Sequence, residues 1–181
     1  LFVSILLSLG LGYPAVLLAK WLNLLDVPGS APHKTHTHPS PLAGGLLIMT
    51  TLVLMAILFG QWVSREFLAV FAGSIIVFAF GIWDDRKGLS AGPKLIGQLI
   101  ASTVLISSGV QVHFMTVFSD AGYISSLVAQ SLNVVITLFW LIGITNALNM
   151  IDSMDGIVAG LGIIASVFFW GATTLAGQNE V

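Results

Sequence analysis

Three polar segments carry most of the side chains capable of chemistry in an otherwise apolar chain. The first, LDVPGSAPHKTHTHPSPLAGG over residues 25–45, holds Lys34 among His33, His36 and His38. The second, FGIWDDRKGLSAGPKLIGQ over residues 80–98, holds the adjacent pair Asp84 and Asp85, with Lys94 and Gln98 further on. The third, NALNMIDSMDG over residues 146–156, repeats Asn146, Asn149, Asp152 and Asp155 at intervals of three. Two adjacent carboxylates repel each other, and a cation between or beside them relieves the repulsion. Mg²⁺ favours carboxylate oxygens, waters and substrate phosphates, so paired aspartates next to a glycine turn point to a phosphate ligand held with a divalent cation. Lys94 and Gln98 lie four apart and share a helix face. The amides and acids of the third segment have the donors and acceptors to hold a nucleotide base or ribose plus a metal.

Each segment also has a plainer reading. The histidines lack the spacing of a zinc motif and a fourth ligand is not evident, which speaks against zinc. A proline-rich polar loop is the alternative there. Against it, Lys34 and an imidazole can approach a phosphate from the side, while Gly44 and Gly45 allow a backbone or ligand to come close. Arg86 and Lys87 alone can neutralise the aspartate pair. The third segment can be a polar helix end, although a structural helix leaving lipid has no need of four such groups in so short a span.

The elements that must position these groups follow from composition. Of 181 residues, 56% are hydrophobic and 8% charged, against about 25% charged in an average soluble domain. Mean hydropathy is +1.00. This excludes a soluble globular enzyme, a disordered chain and a basic-faced binder of nucleic-acid polymers. The absence of cysteine excludes disulfides, thiol nucleophiles and cysteine zinc sites. The chain starts at Leu1 and runs directly into an apolar stretch, so it is expected to be a piece of a longer protein.

Uncharged stretches cover residues 1–19, 42–64, 67–83, 95–119, 121–151 and 156–179. A membrane-crossing helix needs roughly 20 mostly apolar residues. The expected fold is therefore all-α, a single polytopic transmembrane domain over residues 1–181 with about six crossings. Alternation then groups segments 20–41, 84–94 and 146–155 on one side. Lys20, Lys34, Arg86, Lys87 and Lys94 fall there and Arg65 on the other side, which places the first side in the cytoplasm and the amino end outside. Asp26, Asp84, Asp85, Asp152 and Asp155 share that cytoplasmic side. Ser40–Pro41 reads as an N-cap and first residue of the second helix. Ser90 opens the fourth helix, and Gly156 starts the sixth. Three helix N-termini then face the same side, where their dipoles favour anions.

Together the three segments resemble the polyprenyl-phosphate N-acetylhexosamine-1-phosphate transferases (glycosyl transferase family four), in particular the polysaccharide-initiating branch. The likeness is carried by Asp26, Pro28, Lys34, His36, Pro39, Pro41, Gly44 and Gly45, then by Asp84, Asp85, Gly88, Leu89, Lys94 and Gln98, then by Asn146, Asn149, Asp152, Asp155 and Gly156. It spans nearly all of the chain. His33 stands where many relatives have Arg, and Ser153 where relatives often have Gly. A further Gly-Asp metal-binding segment and a His-rich loop found in the family do not follow Gly156, so the chain is similar to the amino-terminal half of such an enzyme and is expected to be inactive or very weak alone.

The resemblance implies that a polyprenyl phosphate attacks the β-phosphorus of a UDP-N-acetylhexosamine, with release of UMP, to start cell-envelope polysaccharide synthesis at the plasma membrane. It implies Mg²⁺, with Mn²⁺ as a substitute, bridging the pyrophosphate. Asp84, Asp85 and Asp152 are then the catalytic candidates, and Asn149 and Asp152 the metal ligands. Lys34, His36 and Lys94 would hold phosphates, while Asn146 and Asp155 would face the uridine. The partners expected are the two substrates and the bilayer, with a homodimer as an option. The rival class is a transporter or proton-relay subunit, which wants carboxylates near the bilayer midplane. A structural subunit without chemistry does not account for three polar motifs on one side.

Overall fold

The computed structural model describes residues 2–26, 38–61, 64–152 and 156–177. Helix α1 spans Phe2–Trp21, α2 Gly44–Phe59, α3 Arg65–Lys87, α4 Ala91–Ser107, α5 Thr116–Asp120, α6 Ser126–Ile151 and α7 Ile157–Leu175. Two short strands, β1 at Leu25–Asp26 and β2 at Ser40–Pro41, pair antiparallel with Leu25 opposite Pro41 and Asp26 opposite Ser40. The expected all-α membrane class is what forms. Among the described residues, α1, α3, α6 and α7 are long and apolar enough to cross a membrane, while α2 and α4 are apolar but shorter. At ~1.5 Å rise per residue those two reach roughly 25 Å, short of a ~30 Å hydrocarbon core.

Three expectations are corrected. The second helix does not open at Ser40–Pro41. Those residues lie in β2, and α2 begins at Gly44 after Ala43, without a side-chain cap. Strand pairing to Leu25–Asp26 uses the backbone that a helix start would have needed. The 95–119 stretch is not one helix: α4 stops at Ser107, and the short α5 follows after a connector. The Asn146–Asp155 spiral is also interrupted, because α6 ends at Ile151 and Asp152 sits in a turn.

The chain divides into two compact units, Leu1–Leu138 and Phe139–Val181. In the first, α1 ends in a Schellman-type turn. Asn23 takes a left-handed φ of 55°, and the Leu24 N–H donates to the Ala19 carbonyl at 2.9 Å, satisfying an otherwise orphaned carbonyl. Leu24, Ala19 and Leu46 are buried together, with Leu22, Leu42, Ala43, Phe78 and Ile82 packed around them. This small core joins α1, α2 and α3 at the foot of the β1–β2 pair.

Helices α3 and α4 form an antiparallel hairpin. A Cβ built on Gly73 would sit 3.6 Å from the Ala101 carbonyl, and one on Gly97 would sit 2.6 Å from Phe80 Cγ. Glycine is required at Gly97 because the Phe80 ring occupies the space beside the α4 backbone.

Two buried polar side chains on α6 hold the connector after α4. The Val112 N–H donates to Thr137 Oγ1 at 2.9 Å, and the Met115 N–H donates to Asn133 Oδ1 at 2.8 Å. Asn133 and Thr137 are 0% and 4% exposed, so these acceptors satisfy backbone donors that have no ladder partner. We expect Thr137→Val, which keeps the shape but removes the acceptor, to destabilise the protein by about 1–3 kcal/mol. A lowered midpoint of thermal unfolding in detergent measures it.

Candidate active site

The acid pair lies in the last turn of α3. Glycine ends that helix: Gly88 has φ 62° and its N–H donates to the Asp84 carbonyl at 2.7 Å. This is a single-bond left-handed C-cap. The Asp84 side chain then continues the cap. Its Oδ1 accepts from the Leu89 N–H at 2.7 Å, and its Oδ2 pairs with Lys94 Nζ at 2.7 Å. Sequence reasoning assigned Lys94 to a phosphate; in the structure its ammonium is engaged with Asp84, with two further N–H donors remaining. The Lys94 and Asp84 side chains are 42% and 27% exposed. A pair that open contributes about 0–1 kcal/mol to stability, too little to explain its placement by stability alone. Gly88→Ala should cost about 1 kcal/mol, since a Cβ is strained at that positive φ; the loss is read in thermal unfolding and in weakened α3–α4 turn protection from hydrogen exchange.

Asp85 lies on a different side of α3. It lines a cleft of about 160 Å³ with Leu24, Leu42, Gly45, Leu46, Phe78, Gly81 and Ile82. A Cβ on Gly45 would meet the edge of the Phe78 ring at 3.3 Å, so glycine keeps this contact from being tight. The Leu42 N–H donates to the Leu24 carbonyl at 3.0 Å, beside the β1–β2 pair. The β1–β2 pair therefore stands beside the cleft that Asp85 lines. Lys34, His36, His33 and Pro28 belong to the segment between the two strands but lie outside the described residues. Arg86, a neutraliser of the acids in the plainer reading, reaches the Leu22 carbonyl through Nη2 at 3.4 Å.

Asn146, Asn149 and Asp152 belong to the second unit. Asn146 and Asn149 fall on the last two turns of α6. The Asn146 amide donates to the Ile142 carbonyl one turn back at 2.8 Å, which directs its nitrogen along its own helix. Asp152 follows in the turn, with its N–H bonded to the Leu148 carbonyl at 3.1 Å. Asn149 and Asp152 are exposed. Asp155 and Ser153 lie outside the described residues. Gly156 precedes α7, at a helix start as expected, and takes a left-handed conformation of φ 83°. Ser90 precedes α4, but its hydroxyl does not cap the helix.

As to a divalent ion, no group of three or more His, Asp or Glu side chains stands close enough to bind one among the described residues. Asn149 and Asp152 offer hard oxygen donors three residues apart. Mg²⁺ commonly takes only one or two protein carboxylates and completes its shell with water and phosphate. The donor chemistry thus fits such an ion in part.

Sequence reasoning missed the Asn133–Thr137 clip. The signal available was slight: two polar residues four apart in an apolar helix, a spacing equally common in helices that bond their own carbonyls.

Apolar helices long enough to cross a membrane, with carboxylates and a lysine gathered at a helix-ending turn, define a helical membrane protein with a polar site at one helix end. The comparisons decide within that class: the model of glycosyl transferase family 4 matches residues 67–181, and the chain belongs to that family. It is 33% identical over 144 residues to a probable undecaprenyl-phosphate N-acetylglucosaminyl 1-phosphate transferase of Bacillus subtilis, covering 79% of this chain and 38% of the relative. It is 31% identical over 163 residues to a decaprenyl-phosphate N-acetylglucosaminephosphotransferase of Mycobacterium tuberculosis, covering 85% and 39%. A phospho-N-acetylmuramoyl-pentapeptide-transferase of Enterococcus hirae is 30% identical over 149 residues, covering 70% and 42%. The chain thus spans about two fifths of the length of the curated relatives it matches. No solved structure matches.

Proposed function

We propose that this chain is part of an enzyme that transfers N-acetylhexosamine-1-phosphate from a UDP-sugar to a polyprenyl phosphate, releasing UMP. The observation that carries the reading is the end of α3, where Asp84 pairs with Lys94 and Asp85 lines a cleft beside the β1–β2 pair. Family membership and the names of the relatives support it. The chain then makes six crossings of the plasma membrane with its amino end outside, supported by the bias of lysine and arginine. The polar motifs face the cytoplasm.

In this reading an acceptor phosphate oxygen forms a bond to the β-phosphorus of the donor, and the bond from that phosphorus to the UMP oxygen breaks. A phosphate monoester has its second pKa near 6, so the acceptor is largely dianionic at neutral pH and needs no strong base. The chain's task is positioning and neutralisation of charge. Lys34, His36 and Lys94 hold phosphates, and the acids at the end of α3 orient the acceptor headgroup. Asn146 and Asp155 are assigned to the uridine. Asn149 and Asp152 are assigned to Mg²⁺ or Mn²⁺, which when bound neutralises the diphosphate and stabilises the leaving UMP. A transporter or proton relay is not favoured, since Asp84 and Asp85 sit in the last turn of α3, not in its middle.

The test uses the full-length gene product in membranes, supplied with undecaprenyl phosphate and several UDP-N-acetylhexosamines. Magnesium-dependent UMP release and a lipid-linked diphospho-sugar are expected. Release that persists in EDTA would remove the metal assignment, and absence of release with every donor would remove the reading.

A further inference from the structure

Helix α6 is long, and the connector that follows α4 lies far down its side. The 26 residues of α6 reach about 39 Å at ~1.5 Å per residue, against a hydrocarbon core of about 30 Å. The Met115 N–H meets Asn133 and the Val112 N–H meets Thr137, seven and eleven residues past the first residue of α6. Those bonds set the connector roughly 10 to 16 Å below that end of the helix. Even with the whole surplus length of α6 placed at the Ser126 end, Thr137 stands roughly 7 Å inside the hydrocarbon. The α3–α4 hairpin points to the same depth. Leu105 lies beside Gly73. Helix α4 stops two residues later at Ser107, while α3 runs on past Gly73 to Arg65. On this side α3 therefore outruns α4 by about 9 Å.

Irregular backbone at membrane depth is tolerated only where its polar groups are satisfied. The buried Asn133 and Thr137 side chains do this for Met115 and Val112. The rest of the segment presents an apolar face. Phe114, Val117 and Phe118 recur at three and four residues and are 59%, 66% and 41% exposed. The Phe114 and Phe118 rings meet edge to face with centroids 5.9 Å apart, so they belong to one surface. We infer that residues 108–120 form a re-entrant element sunk in the leaflet opposite the Asp84–Lys94 turn, with Phe114, Val117 and Phe118 set against lipid acyl chains. Depth and continuity name the occupant. Helix α6 is long and apolar enough to span the bilayer, and its Val135, between Asn133 and Thr137, is 61% exposed. The aromatic patch thus lies level with a lipid-facing stretch of α6. In water the same three side chains would form an exposed apolar patch; among acyl chains they are removed from it. The inference rests on α6 crossing the bilayer and stands apart from the transferase reading.

The test uses a cysteine-free full-length protein in liposomes of phosphatidylcholine and phosphatidylglycerol. Nitroxide labels are attached in the single variants Phe114→Cys, Val117→Cys, Phe118→Cys, Asp120→Cys and Val135→Cys. Power saturation compares collisions with oxygen, which partitions into acyl chains, and with a water-soluble nickel chelate. At 114, 117 and 118 the ratio of oxygen to nickel collisions should match that at Val135 and exceed that at Asp120 several-fold. Labels that the nickel chelate reaches as readily as at Asp120 would overturn the inference. So would labels shielded from both reagents, the sign of a covering protein surface or a second copy. A second reading removes any disturbance by the label itself. The free thiol of Val117→Cys should react several-fold more slowly with a water-soluble maleimide than that of Asp120→Cys, and equal rates would overturn the inference.

Discussion

Asp85→Asn in the full-length protein is expected to lower UMP release by roughly 100-fold or more, the scale seen when one preorganised electrostatic group is removed from a reacting centre. The exchange is nearly isosteric, so packing against Phe78 and Ile82 persists and the protein stays inserted. What is lost is a negative charge at the mouth of a cleft otherwise lined by apolar groups. Membrane yield, a single peak on size exclusion and an unchanged thermal midpoint establish that folding survives, and turnover is then measured at saturating donor. Retained turnover would remove Asp85 from the chemistry.

The second large effect is on stability. Gly97→Val should lower the thermal midpoint markedly, because the new side chain meets Phe80 at a position where even a Cβ would lie within 2.6 Å of the ring. Overpacking of this kind costs typically about 1–3 kcal/mol. The ring cannot simply rotate aside: Cγ, on its rotation axis, is its nearest atom to a Cβ at Gly97, and Trp83 stands with its ring centroid 5.8 Å from that of Phe80. The helices must separate instead. Lys94 lies one turn from Gly97, so the separation also loosens the ion pair with Asp84, and UMP release falls with stability. Two controls isolate the cause. Gly92→Ala on the same helix should be tolerated, since a Cβ there meets nothing within 4 Å. Phe80→Ala combined with Gly97→Val should recover part of the lost midpoint. A midpoint unchanged by Gly97→Val would mean that the α3–α4 contact is looser than the structure shows.

Much of the candidate site was legible before any coordinates. Asp84 and Asp85 closing a helix, Gly88 ending it and Ser90 standing before the next are all local signals, and each is where the sequence places it. The start of α2 was not legible. Ser40–Pro41 fits a helix cap on local grounds, yet it pairs with Leu25–Asp26, more than a dozen residues earlier. Local preference there yields to a non-local hydrogen-bonded pair. The length of α4 was misread for a related reason. The 95–119 stretch is uncharged, but polar Ser107 and Ser108 close the helix, and the connector beyond is satisfied by Asn133 and Thr137 from a distant part of the chain.

Composition and charge placement by themselves determined that this is a helical membrane protein with three polar motifs, and the residues of those motifs carried the resemblance to the transferase family. An uncharged stretch of sufficient length must satisfy its own backbone hydrogen bonds in lipid, and a helix does so locally. Only the tertiary structure decided which neighbour each motif residue meets: Asp84 goes to Lys94, Asp85 to the cleft, Phe80 to Gly97. A helix that is apolar on every face carries no periodic mark of the side that will pack. That choice is made by fit between helices, where a missing Cβ or a single ring settles the register.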